Sequence, residues 1–114
     1  MLPVPHRLTD GGDLRHVLRA GRRAGGEILV VHLLRSDRPG PPRVGFVVGR
    51  SVGNSVVRHR VQRRLRHLCR ERLSLLPAGS ELVVRALPRA ADATYAELGT
   101  ELDRCLRRSL RTVS

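Results

Sequence analysis

Between Arg38 and Arg70 the chain carries nine arginines and no carboxylate. This window constrains the fold more than any other feature. Nine like charges have to be spread over an outer surface while the aliphatic residues among them are buried. A helix does both. At about 100° per residue, with Arg60 as origin, Val57, Val61, Leu65, Leu68 and Leu76 fall between about 60° and 160°. His59, Arg63, Arg66, His67 and Arg70 fall between about 240° and 340°, with Arg60 and Arg64 flanking them at about 0° and 40°. Gly53-Asn54-Ser55 supplies N-cap chemistry, and Pro77-Ala78-Gly79 stops the pattern, so the helix is expected to run to about Leu76. Arg58 and Arg72 project near the apolar stripe, where each snorkels or serves the helix end.

A solvated helix face mixes signs and gains from Glu–Arg pairs four residues apart. Here the arginines repel one another, and a phosphate backbone laid along the helix relieves the repulsion. Arginine forks bind phosphate oxygens bidentately. The helix N-terminus, where Arg50 and Asn54 stand, adds free N–H groups and the positive dipole end. The window holds +9 of the formal net charge of +12, against +2 for residues 1–37 and +1 for residues 71–114. All 22 basic residues are arginine. A G+C-rich coding bias accounts for arginine in place of lysine but not for the clustering, which is the footprint of a nucleic-acid-backbone binder. An anionic membrane is a poorer match, because so small a domain needs the apolar stripe as core. DNA is poorer too, since no helix-turn-helix spacing, zinc-finger ligand set or heptad zipper accompanies the helix.

The whole chain, residues 1–114, reads as a single RNA-binding domain. Thr9 or Asp10 caps a short helix with Leu14, Val17 and Leu18 as its apolar stripe, ended by Gly21. Residues 27–35 (EILVVHLLR) and 43–50 (RVGFVVGR) read as strands, antiparallel if the SDRPGPP loop between them is a hairpin. Val44, Phe46 and Val48 share one face of the second, with Gly45, Val47 and Gly49 on the other. Residues 81–87 form a third strand, and a further short one is allowed near residues 22–25. Thr94 and Glu97 have capping-box spacing ahead of a last helix carrying Leu98, Leu102, Leu106, Leu110 and Val113. The class is α+β: one sheet with helices packed on it.

Chemistry of the chain's own is sparse. A protein nuclease needs clustered carboxylates or paired histidines. Asp10 and Asp13 sit at a helix start, where capping explains them, and His6, His16, His32, His59 and His67 show no metal spacing. No catalytic residue and no metal ligand is expected. Cys69 and Cys105 lie at or beside apolar helix positions, which favours buried free thiols in a reducing cytoplasm. Residues 1–5 lack a signal pattern, and no segment reaches the roughly 20 apolar residues of a membrane span. Phe46 and Tyr95 are the only aromatics, so platforms for stacked bases are few.

RVGFVVGRSVGNSVVRHRVQRRLRHLCRE, residues 43–71, resembles the signature of the protein subunit of bacterial ribonuclease P. Gly53-Asn54 matches, Arg58 and Arg60 match the outer arginines of the family's Arg-Asn-Arg run, and Arg63, Arg64 and Arg66 match its basic tail. HRLTDGGDLRHVLRAGR and ELVVRALPRA match the family's opening and last strand, so the likeness covers nearly the whole chain. The resemblance implies a two-layer α-β-β-β-α-β-α sandwich, like the second domain of a small-subunit ribosomal protein, with a left-handed crossover through the basic helix. It implies an accessory subunit of an RNA-based endoribonuclease that removes the 5′ leader from precursor tRNA. The catalytic centre then belongs to the RNA, with Mg²⁺ held by RNA and substrate and no organic cofactor.

On that resemblance the catalytic RNA is expected to dock on Arg50, Asn54, Arg58, His59, Arg60, Arg63, Arg64, Arg66, His67 and Arg70. The precursor tRNA's single-stranded leader is expected in a cleft between the sheet and the first helix, at Leu14, Leu18, His32 and Phe46. The expected setting is cytoplasmic, with no DNA or membrane partner. Several positions depart from the family pattern. The central Asn is His59, a usual Lys is Gln62, and the turn Gly49-Arg50-Ser51 is poorer in charge. Aromatics on the first helix and first long strand are replaced by Leu14, Leu18 and His32, so leader contact is expected to lean on charge and shape. The alternative is a ribosomal-type RNA-binding protein, which would use the same basic helix and need no leader cleft.

Overall fold

A computed structural model of the chain describes residues 7–8 and 10–111. Thr9, His6 and Val113, named above, lie outside them. The elements follow in the order α1 (Gly11–Ala20), β1 (Arg22–Gly25), β2 (Leu29–Leu34), β3 (Arg43–Val47), α2 (Ser55–Arg70), β4 (Glu81–Ala86) and α3 (Tyr95–Leu110). This is the expected α-β-β-β-α-β-α succession. Each long helix starts on a side chain that satisfies its first backbone donors. Asp10 accepts from the N–H groups of Gly12 and Asp13 at 2.7 and 3.2 Å. Asn54 accepts from Val57 at 3.0 Å. Thr94 and Glu97 form the reciprocal capping box.

The strands assemble in the order β1-β2-β4-β3, so β2 and β3 are not neighbours and SDRPGPP does not close a hairpin between them. β4 inserts between them, antiparallel to β2 and parallel to β3. The reason lies in β4's burial: its residues are buried on both faces apart from Arg85, which suits a central strand. The chain leaves β3 at the sheet edge, crosses through α2 and returns as β4. Leu8 shields the outer side of β3 by donating its N–H to the Val44 carbonyl at 2.9 Å.

Two cores form, one on each side of the sheet. On one side α2 and α3 bury Val61, Leu65, Leu68, Leu98, Leu102 and Leu106 against Leu29, Val31, Leu33, Val44, Leu82 and Val84. On the other, α1 buries Val17 with Leu8 and Val83, and Leu14, Leu18, Leu34 and Val47 pack around them. Gly45 permits that approach: a Cβ there would stand 2.4 Å from Leu14 Cδ2 and 2.6 Å from the Leu8 carbonyl oxygen.

The basic helix ends earlier than its pattern implies, at Arg70 rather than near Leu76, and a short 3₁₀ turn follows at Leu73–Leu75. Arg72 marks the break. Its guanidinium turns back to the Leu68 carbonyl at 2.9 Å and grips Asp103 of α3 through two bonds of 2.5 and 3.2 Å. Arg72 thus serves the helix end, one of the two roles expected for it. No helix among the described residues is long and apolar enough to cross a membrane.

Candidate nucleic-acid interface

α2 turns Val61, Leu65, Leu68 and Cys69 inward. Outward it presents His59, Arg60, Arg63, His67 and Arg70, all exposed, with Arg64 and Arg66 half-buried at the margin. Arg60 and Arg64 are braced: their guanidinium groups donate to the carbonyls of Ala91 and Ala93, each at 3.1 Å. The segment they hold is the 3₁₀ turn Pro88–Asp92 and the residue after it. His59, Arg63, Arg66, His67 and Arg70 make no side-chain hydrogen bond or ion pair among the described residues. Every ion pair among those residues lies elsewhere, at Arg43, Arg72, Arg89 and Arg104.

The free side chains line two shallow, adjoining depressions. One, of about 530 Å³, is bounded by Ser55, Val56, His59, Arg60, Arg63 and Arg64. The other, of about 400 Å³, is bounded by His59, Gln62, Arg63, Arg66 and His67. His59 and Arg63 border both. A helix of 16 residues extends about 24 Å, long enough to meet several successive phosphates of a duplex strand. Arg50 is exposed in the turn ahead of α2. Asn54 spends its side-chain oxygen on the Val57 N–H, which leaves its amide NH₂ for a ligand. Arg58 is half-buried, with its Nε unpartnered among the described residues.

The second candidate group does not converge as one site. Alternation along each strand puts residues two apart on one face. Leu14 and Leu18 lie with Val47 and Val83 on the α1 side of the sheet. His32, the Cα partner of Val83, belongs to that side too. Phe46 is the Cα partner of Val84 and packs against the α2–α3 core on the opposite side. Phe46 is therefore not a wall of a cleft between α1 and the sheet. Val47, its neighbour, takes that place.

The same register brings two arginines to the α1 side that inspection of the sequence does not single out. Arg23 of β1 is the Cα partner of His32. Arg85 of β4 is the partner of Val30, two residues along β2 from His32. Burial first, then the charges of Arg85 and Arg23, push the His32 imidazole below its ordinary 6.5. The ring is 5% exposed. The visible signal was an arginine interrupting the apolar run ELVVRAL, but only strand order shows what it faces.

Among the described residues no group of three or more His, Cys, Asp or Glu is placed to hold a metal ion. Cys69 and Cys105 are free and buried, and burial pushes the Cys69 thiol up to about 12.

Comparison with known proteins places the chain in a family. The family profile described as Ribonuclease P matches residues 2–110. A ribonuclease P protein component from a Nocardioides species is 57% identical over 110 residues, which cover 95% of this chain and 94% of the relative. That of Acidothermus cellulolyticus is 54% identical over 114 residues, covering 98% and 94%. Among solved structures, the Staphylococcus aureus RNase P protein superposes with a TM-score of 0.84 at 22% identity, covering 92% of this chain and 95% of that one. The RNase P protein from Thermotoga maritima, solved with 1-(4-fluorophenyl)-2-thiourea, gives 0.79 at 23% identity, covering 90% and 98%. At those identities the structures establish the fold.

Proposed function

The chain belongs to the ribonuclease P protein family, and on that premise we propose that it binds the catalytic RNA of ribonuclease P and assists removal of the 5′ leader from precursor tRNA. The observation that carries the reading is the outer face of α2. Five cationic or titratable side chains there have no partner among the described residues, and the two arginines at its border are fixed by backbone carbonyls. Such a surface is electrostatically strained until polyanion arrives. Phosphates of the RNA would release that strain and displace condensed counterions, which makes the association strongly salt-dependent. Positioning through phosphates needs no base readout, in keeping with a face of arginine and histidine.

In this reading the α1 side of the sheet receives the single-stranded leader. Leu14, Leu18 and Val47 give it an apolar floor, while Arg23 and Arg85 give it charge. The protein's contribution is binding and orientation, by which the substrate is held against the RNA. Mg²⁺ would be held by RNA and substrate. The setting proposed is the cytoplasm, where precursor tRNA is made and where buried thiols stay reduced.

Reconstitution with ribonuclease P RNA and precursor tRNA at low Mg²⁺ tests the reading. Stimulation of 5′ cleavage over RNA alone is expected. No stimulation, together with co-sedimentation of the protein with ribosomes, would favour a ribosomal-type RNA-binding role instead.

A further inference from the structure

We propose that Arg23, His32 and Arg85 form a subsite for one backbone phosphate of single-stranded RNA on the α1 side of the sheet. The inference rests on the leader reading above and supplies the groups that would do the binding.

Sheet register brings the three together. Arg23 and His32 are paired across β1 and β2, and Arg85 reaches the same face one row away, beside Val30. His32 is 5% exposed, yet neither ring nitrogen has a hydrogen-bond partner among the described residues, and Arg85 Nε is likewise buried and unpartnered among them. Leaving a buried donor or acceptor unmade costs about 1–3 kcal/mol, and native structures carry few such groups without cause. Nor does a carboxylate neutralise the pair of guanidinium groups: no ion pair among the described residues involves Arg23 or Arg85. The nearest row in the other direction differs, since Arg43 there pairs with Glu81.

A phosphodiester supplies what is missing. Its oxygens accept from the guanidinium ends of exposed Arg23 and half-exposed Arg85, and its charge offsets both; Arg85 Nε and the His32 ring nitrogens, which have no exposed surface, join only once the Arg85 side chain moves aside. A base would find less here, because Phe46 packs on the other face and Tyr95 opens α3, which packs on that other face as well. The site can be reached, as Arg23 is exposed and Arg85 half-exposed. β4 and β3 run parallel past Arg85 and Val47, and β3 then leads into the Gly49–Arg50 turn and the N-terminus of α2.

The test uses the holoenzyme reconstituted with its catalytic RNA. Binding of precursor tRNA with a long leader and of mature tRNA is measured across a salt series. Arg85→Gln is expected to weaken precursor binding several-fold and to reduce the log–log salt slope by about 0.7, the value for one phosphate on a single strand. Mature tRNA should bind as before. Arg23→Gln should act in the same direction. An arm with the unaltered protein guards against misfolding: a neutral methylphosphonate is placed at each leader position in turn. One position should weaken binding to the wild-type protein and have no effect with Arg85→Gln. Equal salt slopes for wild type and Arg85→Gln, or no position whose effect depends on Arg85, overturns the subsite. If the wild-type protein fails to discriminate precursor from mature tRNA at all, the leader reading falls with it.

Discussion

Arg60 of α2 donates from its guanidinium to the carbonyl oxygen of Ala91, 3.1 Å away. One turn further on, Arg64 does the same to Ala93. Arg60 and Arg64, on one border of the outer face of α2, are thus occupied by the segment leading into α3, while Arg63 and Arg66 on the rest of that face have no partner among the described residues. One residue type does two jobs on one helix, and the partner tells them apart.

The two jobs separate on mutation. Replacing Arg63 and Arg66 by Ala should reduce the salt slope of catalytic-RNA binding by about 1.8, at roughly 0.9 for each duplex phosphate left without its arginine. Stability to urea should stay within about 1 kcal/mol of wild type, since Arg63 is exposed and Arg66, half-buried, has no partner among the described residues. Replacing Arg60 and Arg64 should lower the slope and also destabilise the fold, by about 0.5–1.5 kcal/mol for each hydrogen bond removed. An unchanged slope in the Arg63/Arg66 variant removes this face from the RNA interface.

A second test concerns Glu101, a buried carboxylate that function does not explain. Its oxygens accept from the backbone N–H groups of Glu27, Ile28 and Leu29 at 3.3, 2.6 and 2.8 Å, and from Arg104 at 2.8 Å. It ties α3 to the β1–β2 turn, and Gly26 leaves room for it: a Cβ there would stand 2.4 Å from the carboxyl carbon. Glu101→Ala strands several backbone donors at once, so a loss of about 2–4 kcal/mol is expected in urea unfolding. The salt slope for RNA should not change. A variant as stable as wild type would show that water or a local shift replaces the carboxylate.

What could be read from the sequence follows from range. Caps and periodicity are local, so the capping box at Thr94, the inward stripe Val61, Leu65 and Leu68, and the parity of Val44, Phe46 and Val48 were all legible. Parity does not say which face meets α1, and Phe46 was accordingly placed on the wrong side. Pairing of β2 with β3 was the simplest reading of adjacent strands, but β4 arrives after a whole helix and takes the place between them. Arg23, His32 and Arg85 span three strands and have no sequence spacing in common. The carbonyl partners of Arg60 and Arg64 are invisible for the same reason, since any residue type offers a carbonyl.

The thiols give a third test. Cys69 is 2% exposed and Cys105 fully buried. Burial raises both, Cys69 to about 12, and the nucleophile is the thiolate. Neither should react with a thiol reagent at neutral pH until the protein unfolds, and both should react promptly in denaturant. Rapid labelling of one thiol in the native state would mean that the α2–α3 core opens locally, because both residues sit in it.

The last test uses pH. In the folded chain His32 is held below its ordinary 6.5 by burial and by Arg85 and Arg23. The unfolded chain therefore takes up this proton first as pH falls. Stability from the neutral ring is fully present above 6.5 and is lost as pH drops from there toward the folded-state value, with a slope of up to about 1.4 kcal/mol per pH unit for one proton. Asp103, whose carboxyl the Arg72 hydrogen bond holds below its ordinary 3.8, adds its own loss only as pH falls through and below that value. The two windows are distinct. His32→Leu should remove the upper one and leave the lower, as read from urea unfolding between pH 8 and about pH 3. If wild type and His32→Leu fall in parallel below 6.5, the imidazole is not held neutral in the fold. Saturating single-stranded RNA supplies the converse: a phosphate beside His32 favours its charged form, so the upper window should shrink when the oligonucleotide is bound.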